Sequence, residues 1–71
     1  SMASTGAFIA ADKEIIDYID KNGGVLQNDI NMKTEYLIVK DITSNSSKIN
    51  KAKIMGVEII DKSGFKELMC P

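Results

Sequence analysis

The sequence predicts an α/β fold with a mainly parallel sheet and helices on both faces, and three observations carry that prediction. An amphipathic segment over residues 12–22 is closed by Asn22-Gly23-Gly24. A continuous run of β-formers follows at Glu35-Tyr36-Leu37-Ile38-Val39. A second capped segment, stopped by Gly56, then leads into Val57-Glu58-Ile59-Ile60. Alternation of strand and helix in this way favours parallel pairing, because each crossover helix returns the chain to the same edge of the sheet.

Taken in order, Met2 to Thr5 is assigned as a short first strand, and Gly6 breaks it. Residues 7–11, Ala-Phe-Ile-Ala-Ala, read equally as loop or as the start of a helix. Asp12 suits an N-cap, since its carboxylate can accept from a free N–H of the first turn. Behind it Ile15, Ile16 and Ile19 recur at helical spacing, with Tyr18 beside them and Asp17, Asp20 and Lys21 on the other face. The glycine pair stops this helix by supplying the left-handed conformation that a C-cap requires. Val25-Leu26 reads as a short strand, and 28–34 as a polar turn. Residues 35–39 form the clearest strand, apolar enough to be buried on both sides. A loop rich in Ser, Thr and Asn spans 41–47. Ser46 or Ser47 caps the second helix, with Ile49 and Ala52 on its inner face and Met55 placed with the core. Residues 57–60 form a last strand. A turn at 61–64 then opens a short helix carrying Phe65, Leu68 and Met69. The expected order is β-α-β-β-α-β-α.

Length and composition bound the function. The chain has 71 residues, which makes a single domain over 1–71 with a thin stability margin and no room for a cleft between two lobes. Ser1, ahead of Met2, is expected to be a cloning remnant. Apolar residues make up 44% and charged residues 27%, a balance that favours a folded chain. No apolar run approaches a membrane span, so no membrane partner is expected. A single cysteine, Cys70, cannot form an internal disulfide, which fits a reducing compartment.

The chain has no histidine, which removes the commonest general base and the commonest metal ligand, so neither a metal site nor a cofactor is expected. The carboxylate pairs Asp12/Glu14 and Asp17/Asp20 have no nucleophile or histidine beside them, and read as a solvated helix face. All nine basic residues are lysines, and the net charge is −1. Arginine forks for bidentate phosphate or guanine recognition are therefore missing, and the charge does not favour strong non-specific DNA binding. No acid lies between residues 42 and 57, so Lys48, Lys51 and Lys53 form either a DNA-facing basic patch or a solvated helix face.

Four segments in this order resemble one family. A first helix closed by Asn22-Gly23-Gly24-Val25 is similar to the BRCT signature of a helix ended by a glycine pair. Lys33-Thr34-Glu35-Tyr36-Leu37-Ile38-Val39 resembles the third BRCT strand. Residues 46–60, Ser-Ser-Lys-Ile-Asn-Lys-Ala-Lys-Ile-Met-Gly-Val-Glu-Ile-Ile, resemble the second helix and fourth strand. The likeness covers about residues 2–69 and is greatest to the version found in bacterial-type NAD-dependent DNA ligases. Phe65 stands where the family often carries Trp in the last helix, as in the ligase-like branch.

The resemblance implies a four-stranded parallel sheet in the order 2-1-3-4, with the first and last helices on one face and the second on the other. It also implies a non-catalytic interaction module of a DNA replication or repair protein. Such a module binds a phosphorylated protein partner or a DNA 5′-phosphate end. The alternative is a phosphate-independent structural or dimerisation domain that packs against its parent or another BRCT domain, as a monomer or weak homodimer. Its compartment would be the cytoplasm in a bacterium or the nucleus in a eukaryote.

The family's phosphate pocket uses Ser or Thr followed by Gly after the first strand, and Lys at the start of the second helix. Thr5, Gly6 and Lys48 match that pattern here, and Ser46 corresponds to an assisting hydroxyl. A helix N-terminus offers unpaired N–H groups and the positive end of its dipole to an anion. From the residues alone, Thr5-Gly6 is equally a strand end and turn, Ser46 a cap and Lys48 a solvated lysine.

Overall fold

A computed structural model describes residues 6–69. Four strands, β1 (Ala7–Ala10), β2 (Val25–Leu26), β3 (Thr34–Val39) and β4 (Glu58–Asp61), form one sheet in the order β2-β1-β3-β4. Every pairing is parallel. Three helices, α1 (Lys13–Lys21), α2 (Ser47–Met55) and α3 (Lys62–Met69), complete the expected element order.

The caps explain where the helices begin and end. Asp12 accepts from the Ile15 N–H at 3.1 Å and opens α1. At its other end Gly23 takes a positive φ of 79°. Its N–H donates to the Asp20 carbonyl while the Gly24 N–H reaches back to Ile19, the paired bonding of a Schellman ending. Ser46 opens α2 by accepting from the Ile49 N–H at 3.2 Å. Gly56, with φ 74°, closes it. Asp61 accepts from the Gly64 N–H at 2.7 Å and starts α3 at Lys62, so the expected turn at 61–64 is a cap followed directly by helix.

Both faces of the sheet are covered. On one, Phe8 and Ile38 pack with Ile15 and Ile19 of α1 and Phe65 of α3. Phe8 stacks on Tyr36 with centroids 5.6 Å apart, and Tyr18 meets Phe65 edge-on at 5.8 Å. On the other face Ile9 and Leu37 pack with Ile49 and Ala52 of α2, with Val57, and with Ile30 from the β2–β3 loop. The first and last helices therefore share a face opposite the second.

The first strand is the main correction. The segment read as loop or helix start is β1 itself, buried at Ala7, Phe8 and Ile9. The strand assigned to Met2–Thr5 lies outside the described residues. β1 is central, bonded to β2 on one side and β3 on the other, and its side chains are covered on both faces, so no apolar–polar alternation betrays it. Met55 is a second correction: it lies at the exposed end of α2 instead of in the core.

Candidate phosphate-facing cleft and the surface of the second helix

In a parallel sheet the helix N-termini gather at the carboxyl ends of the strands, where ligands tend to settle. The principal cleft opens there. Ala10 at the end of β1 with Ala11 and Asp12 after it, Val39 at the end of β3 with Lys40 and Asp41 after it, Ser44, Ser46 and Lys48 before and within α2, and Lys62 of α3 surround it. Its floor is apolar and buried, with Ile9, Leu37 and Ile49 from the face under α2 and Ile38 from the opposite face.

The four residues expected to form the phosphate pocket do not all meet in this cleft. Ser46 and Lys48 line it together. Gly6 precedes β1, so it sits at the opposite end of the strand, where its carbonyl accepts from the Val25 N–H. Glu35 crowds it: a Cβ on Gly6 would lie 2.6 Å from the Glu35 Oε2. A carboxylate so close disfavours an anion. Thr5 lies outside the described residues. The residues that do follow β1 are Ala11 and Asp12, which supply neither a hydroxyl nor a glycine.

Charge around the cleft is unevenly committed. Lys62 pairs with Glu14 at 2.8 Å and Asp12 at 3.3 Å, and Lys66 approaches Glu14 at 3.5 Å. The hydrogen bond from Lys62 is the main cause that holds the Glu14 carboxyl below its ordinary value. For Asp12 the Ile15 N–H is the main cause of a similar lowering, with Lys62 adding to it. The same carboxylates raise the Lys62 ammonium. Asp41 accepts from the Thr43 hydroxyl at 2.6 Å and its N–H at 2.9 Å, which lowers its carboxyl.

The positive ends of the two principal helices therefore differ. Asp12 and Glu14 already cover that of α1, whereas α2 has no acid in its first turn. Among the described residues Lys48 makes no ion pair or side-chain hydrogen bond, and neither does Lys40. Ser46 spends a lone pair on its cap, and its hydroxyl proton is left to donate. Lys40, Asp12 and Lys62 were not anticipated as cleft residues. Only the position of β1 brings them together, and no local motif marks them.

The three lysines of α2 are all exposed but do not make one patch. Lys48 and Lys51 are three apart and neighbours on the helix surface, whereas Lys53 is two from Lys51 and points to the other flank. Between the flanks, Ile54 stands 85% exposed. Among the described residues, no helix is long and apolar enough to cross a membrane.

Comparison with known proteins adds two kinds of likeness, to a family model and to individual relatives. Residues 7–69 match the model of the BRCA1 C Terminus (BRCT) domain. The chain is 39% identical over 56 residues to a DNA ligase of Lachnoclostridium phytofermentans, covering 79% of this chain and 9% of the ligase. It is 43% identical over 54 residues to a DNA ligase of Ruminiclostridium cellulolyticum, covering 76% and 8%. A DNA ligase of Thermosipho africanus is 36% identical over 66 residues, covering 92% of this chain and 10% of that protein. The chain thus spans about a tenth of the length of the curated relatives it matches.

Proposed function

Since the chain belongs to the BRCT domain family, we propose that it is the non-catalytic docking module of a DNA-ligase-like parent and that it captures a phosphate group at the N-terminus of α2. The phosphate is carried by a DNA 5′ end or by a phosphorylated replication or repair protein. One observation carries this reading. Ser46 and the unpaired Lys48 stand together at the one principal helix N-terminus that no carboxylate covers, and both line the main cleft. The Ser46 hydroxyl, the free N–H groups of Ser47 and Lys48 and the Lys48 ammonium are the donors. Asp12 and Asp41 on the same rim favour a ligand that presents a single compact phosphate over a long polyanion lying across the cleft.

The decisive experiment is an amide-resolved NMR titration with a 5′-phosphorylated duplex and with a phosphoserine peptide, each beside its unphosphorylated twin. Phosphate-dependent shifts at residues 46–49 are the expected outcome, and the ligand that produces them identifies the source of the phosphate. Lys48→Ala should weaken that binding roughly ten- to hundredfold, the worth of a charge-assisted hydrogen bond. Equal binding by Lys48→Ala, or shifts that ignore the phosphate, would defeat the proposal.

A second reading is phosphate-independent packing against the parent protein or another BRCT domain. The exposed Val25, Leu26 and Met32 beside the outer edge of the sheet favour it. Light scattering that shows self-association unaffected by phosphate would select this reading.

A further inference from the structure

The outward face of α2 is built differently from an ordinary solvent face. Of its nine residues only Ile49 and Ala52 are buried. Ile54 points away from that seam and is 85% exposed, and the neighbouring Met55 is 39% exposed. At helical spacing Lys51 lies one turn before both of them, so a cationic side chain adjoins two apolar ones. Among the described residues Lys51 and Lys53 have no ion pair, and no acid occurs between residues 42 and 57.

From this juxtaposition we infer that the outer face of α2, centred on Ile54 and Lys51, docks an acidic protein segment that carries an aliphatic or aromatic side chain. Charge complementarity chooses the sign of the partner. The isoleucine chooses its class, because a phosphate backbone has nothing apolar to lay on Ile54 whereas a protein segment does. This surface is separate from the phosphate site: Ile54 lies about 10 Å along the helix from Ser47, at 1.5 Å of rise per residue. It therefore stands or falls independently of phosphate capture. A second copy of this chain is a poorer occupant. Its own acidic helix surface on α1 has Glu14 and Asp17 already paired with Lys62, Lys66 and Lys13.

The test uses a synthetic peptide that alternates Glu with Leu, beside a control in which every Leu is Ser, against the whole 71-residue chain. NMR shifts are followed for wild type, Ile54→Ser, Lys51→Glu and Lys48→Ala. The Glu/Leu peptide should move the amides of Lys51, Ile54 and Met55, and the Ser control should not. Ile54→Ser should weaken binding about tenfold or more, as loss of one buried aliphatic anchor does, and Lys51→Glu should weaken it too. Lys48→Ala should leave this binding intact, while Ile54→Ser leaves the phosphate response intact. Both variants replace exposed side chains, and retained chemical-shift dispersion confirms their fold. Binding to Ile54→Ser as tight as to wild type, or no peptide shifts on α2, would overturn the inference. So would self-association that Ile54→Ser abolishes, which would give the face to a second copy.

Discussion

Phe65 is the only residue of α3 that is buried, so it should be the bolt that holds this helix to the sheet. It is 3% exposed and packs among Phe8, Ile15, Ile19 and Ile38, with its ring edge-on to Tyr18. Phe65→Ala removes a phenyl ring from a site walled by two aromatic and three aliphatic side chains. Such a deletion costs about 3–5 kcal/mol, of which the edge-on ring contact contributes roughly 0.5–1.5 kcal/mol. A domain of this length is stable by about 4–10 kcal/mol in all, at roughly 0.05–0.15 kcal/mol per residue. Phe65→Ala should therefore stand at the edge of unfolding, while Phe65→Leu, which keeps most of the volume, should lose about 1–2 kcal/mol. Urea denaturation followed by far-UV circular dichroism reads both. With a slope near 1 kcal/mol per molar urea, the Leu variant should unfold about 1–2 M earlier than wild type. The Ala variant should unfold about 3–5 M earlier, and a wild type at the lower end of that stability range would then show no transition. A Phe65→Ala midpoint within about 0.5 M of wild type would refute the view that this side chain is the main anchor of α3.

Gly56→Ala should cost about 1–2 kcal/mol, because φ is 74° and nothing lies within 4 Å of the added methyl, so the penalty is purely one of backbone conformation. Thermal melting checks it, and an unchanged melting temperature would contradict the left-handed cap. Lys62→Met should let the Glu14 carboxyl rise toward its ordinary 4.5 in an NMR pH titration, since the Lys62 hydrogen bond is the main cause of its lowering. The linked stability has a definite sign. The lowered carboxyls of Glu14 and Asp12 stabilise the folded state above their ordinary values of 4.5 and 3.8 and cease to do so as pH falls through their lowered values. Acid should thus cost the wild type more stability than Lys62→Met over that window. The raised Lys62 ammonium contributes fully below 10.5, and that contribution is lost as pH climbs through its raised value.

Features governed by neighbours in the chain were legible in the sequence. Asp12, Ser46, Gly23 and Gly56 each act through backbone groups within a turn, so their residue types announce the helix ends without knowledge of the fold. The Thr34–Val39 strand was visible because its side chains are strong β-formers. Residues that depend on distant partners were hidden. Two of the four residues of Ala7–Ala10 are alanines, poor β-formers, and its two flanking ladders make it a strand. That single displacement moved Gly6, one of the residues of the expected phosphate pocket, from the carboxyl end of the strand to the amino end. Ile30 escaped notice for a similar reason: an apolar residue in a polar turn gives no periodicity, yet it fills the space beneath α2. Lys62 was invisible as a cleft residue because its partners Asp12 and Glu14 lie some fifty positions away.

The exclusively parallel sheet also governs how the domain can come apart. Ala7 pairs with Val25, Phe8 with Tyr36 and Tyr36 with Glu58, so every ladder joins stretches separated by a helix or a long loop. Among the described residues no hairpin exists to persist by itself as a folded remnant. Loss of β1 severs both of its ladders and uncovers both cores at once. Amide protons of β1 and β3 should then exchange with solvent at the rate of the global opening, while the short β2 edge and the outer turns of α2 exchange through local fraying. The rim of the cleft proposed to take a phosphate thus belongs to the same cooperative unit as the cores beneath it, and a substitution such as Phe65→Ala, whose side chain does not line that cleft, reaches the rim through the population of folded molecules.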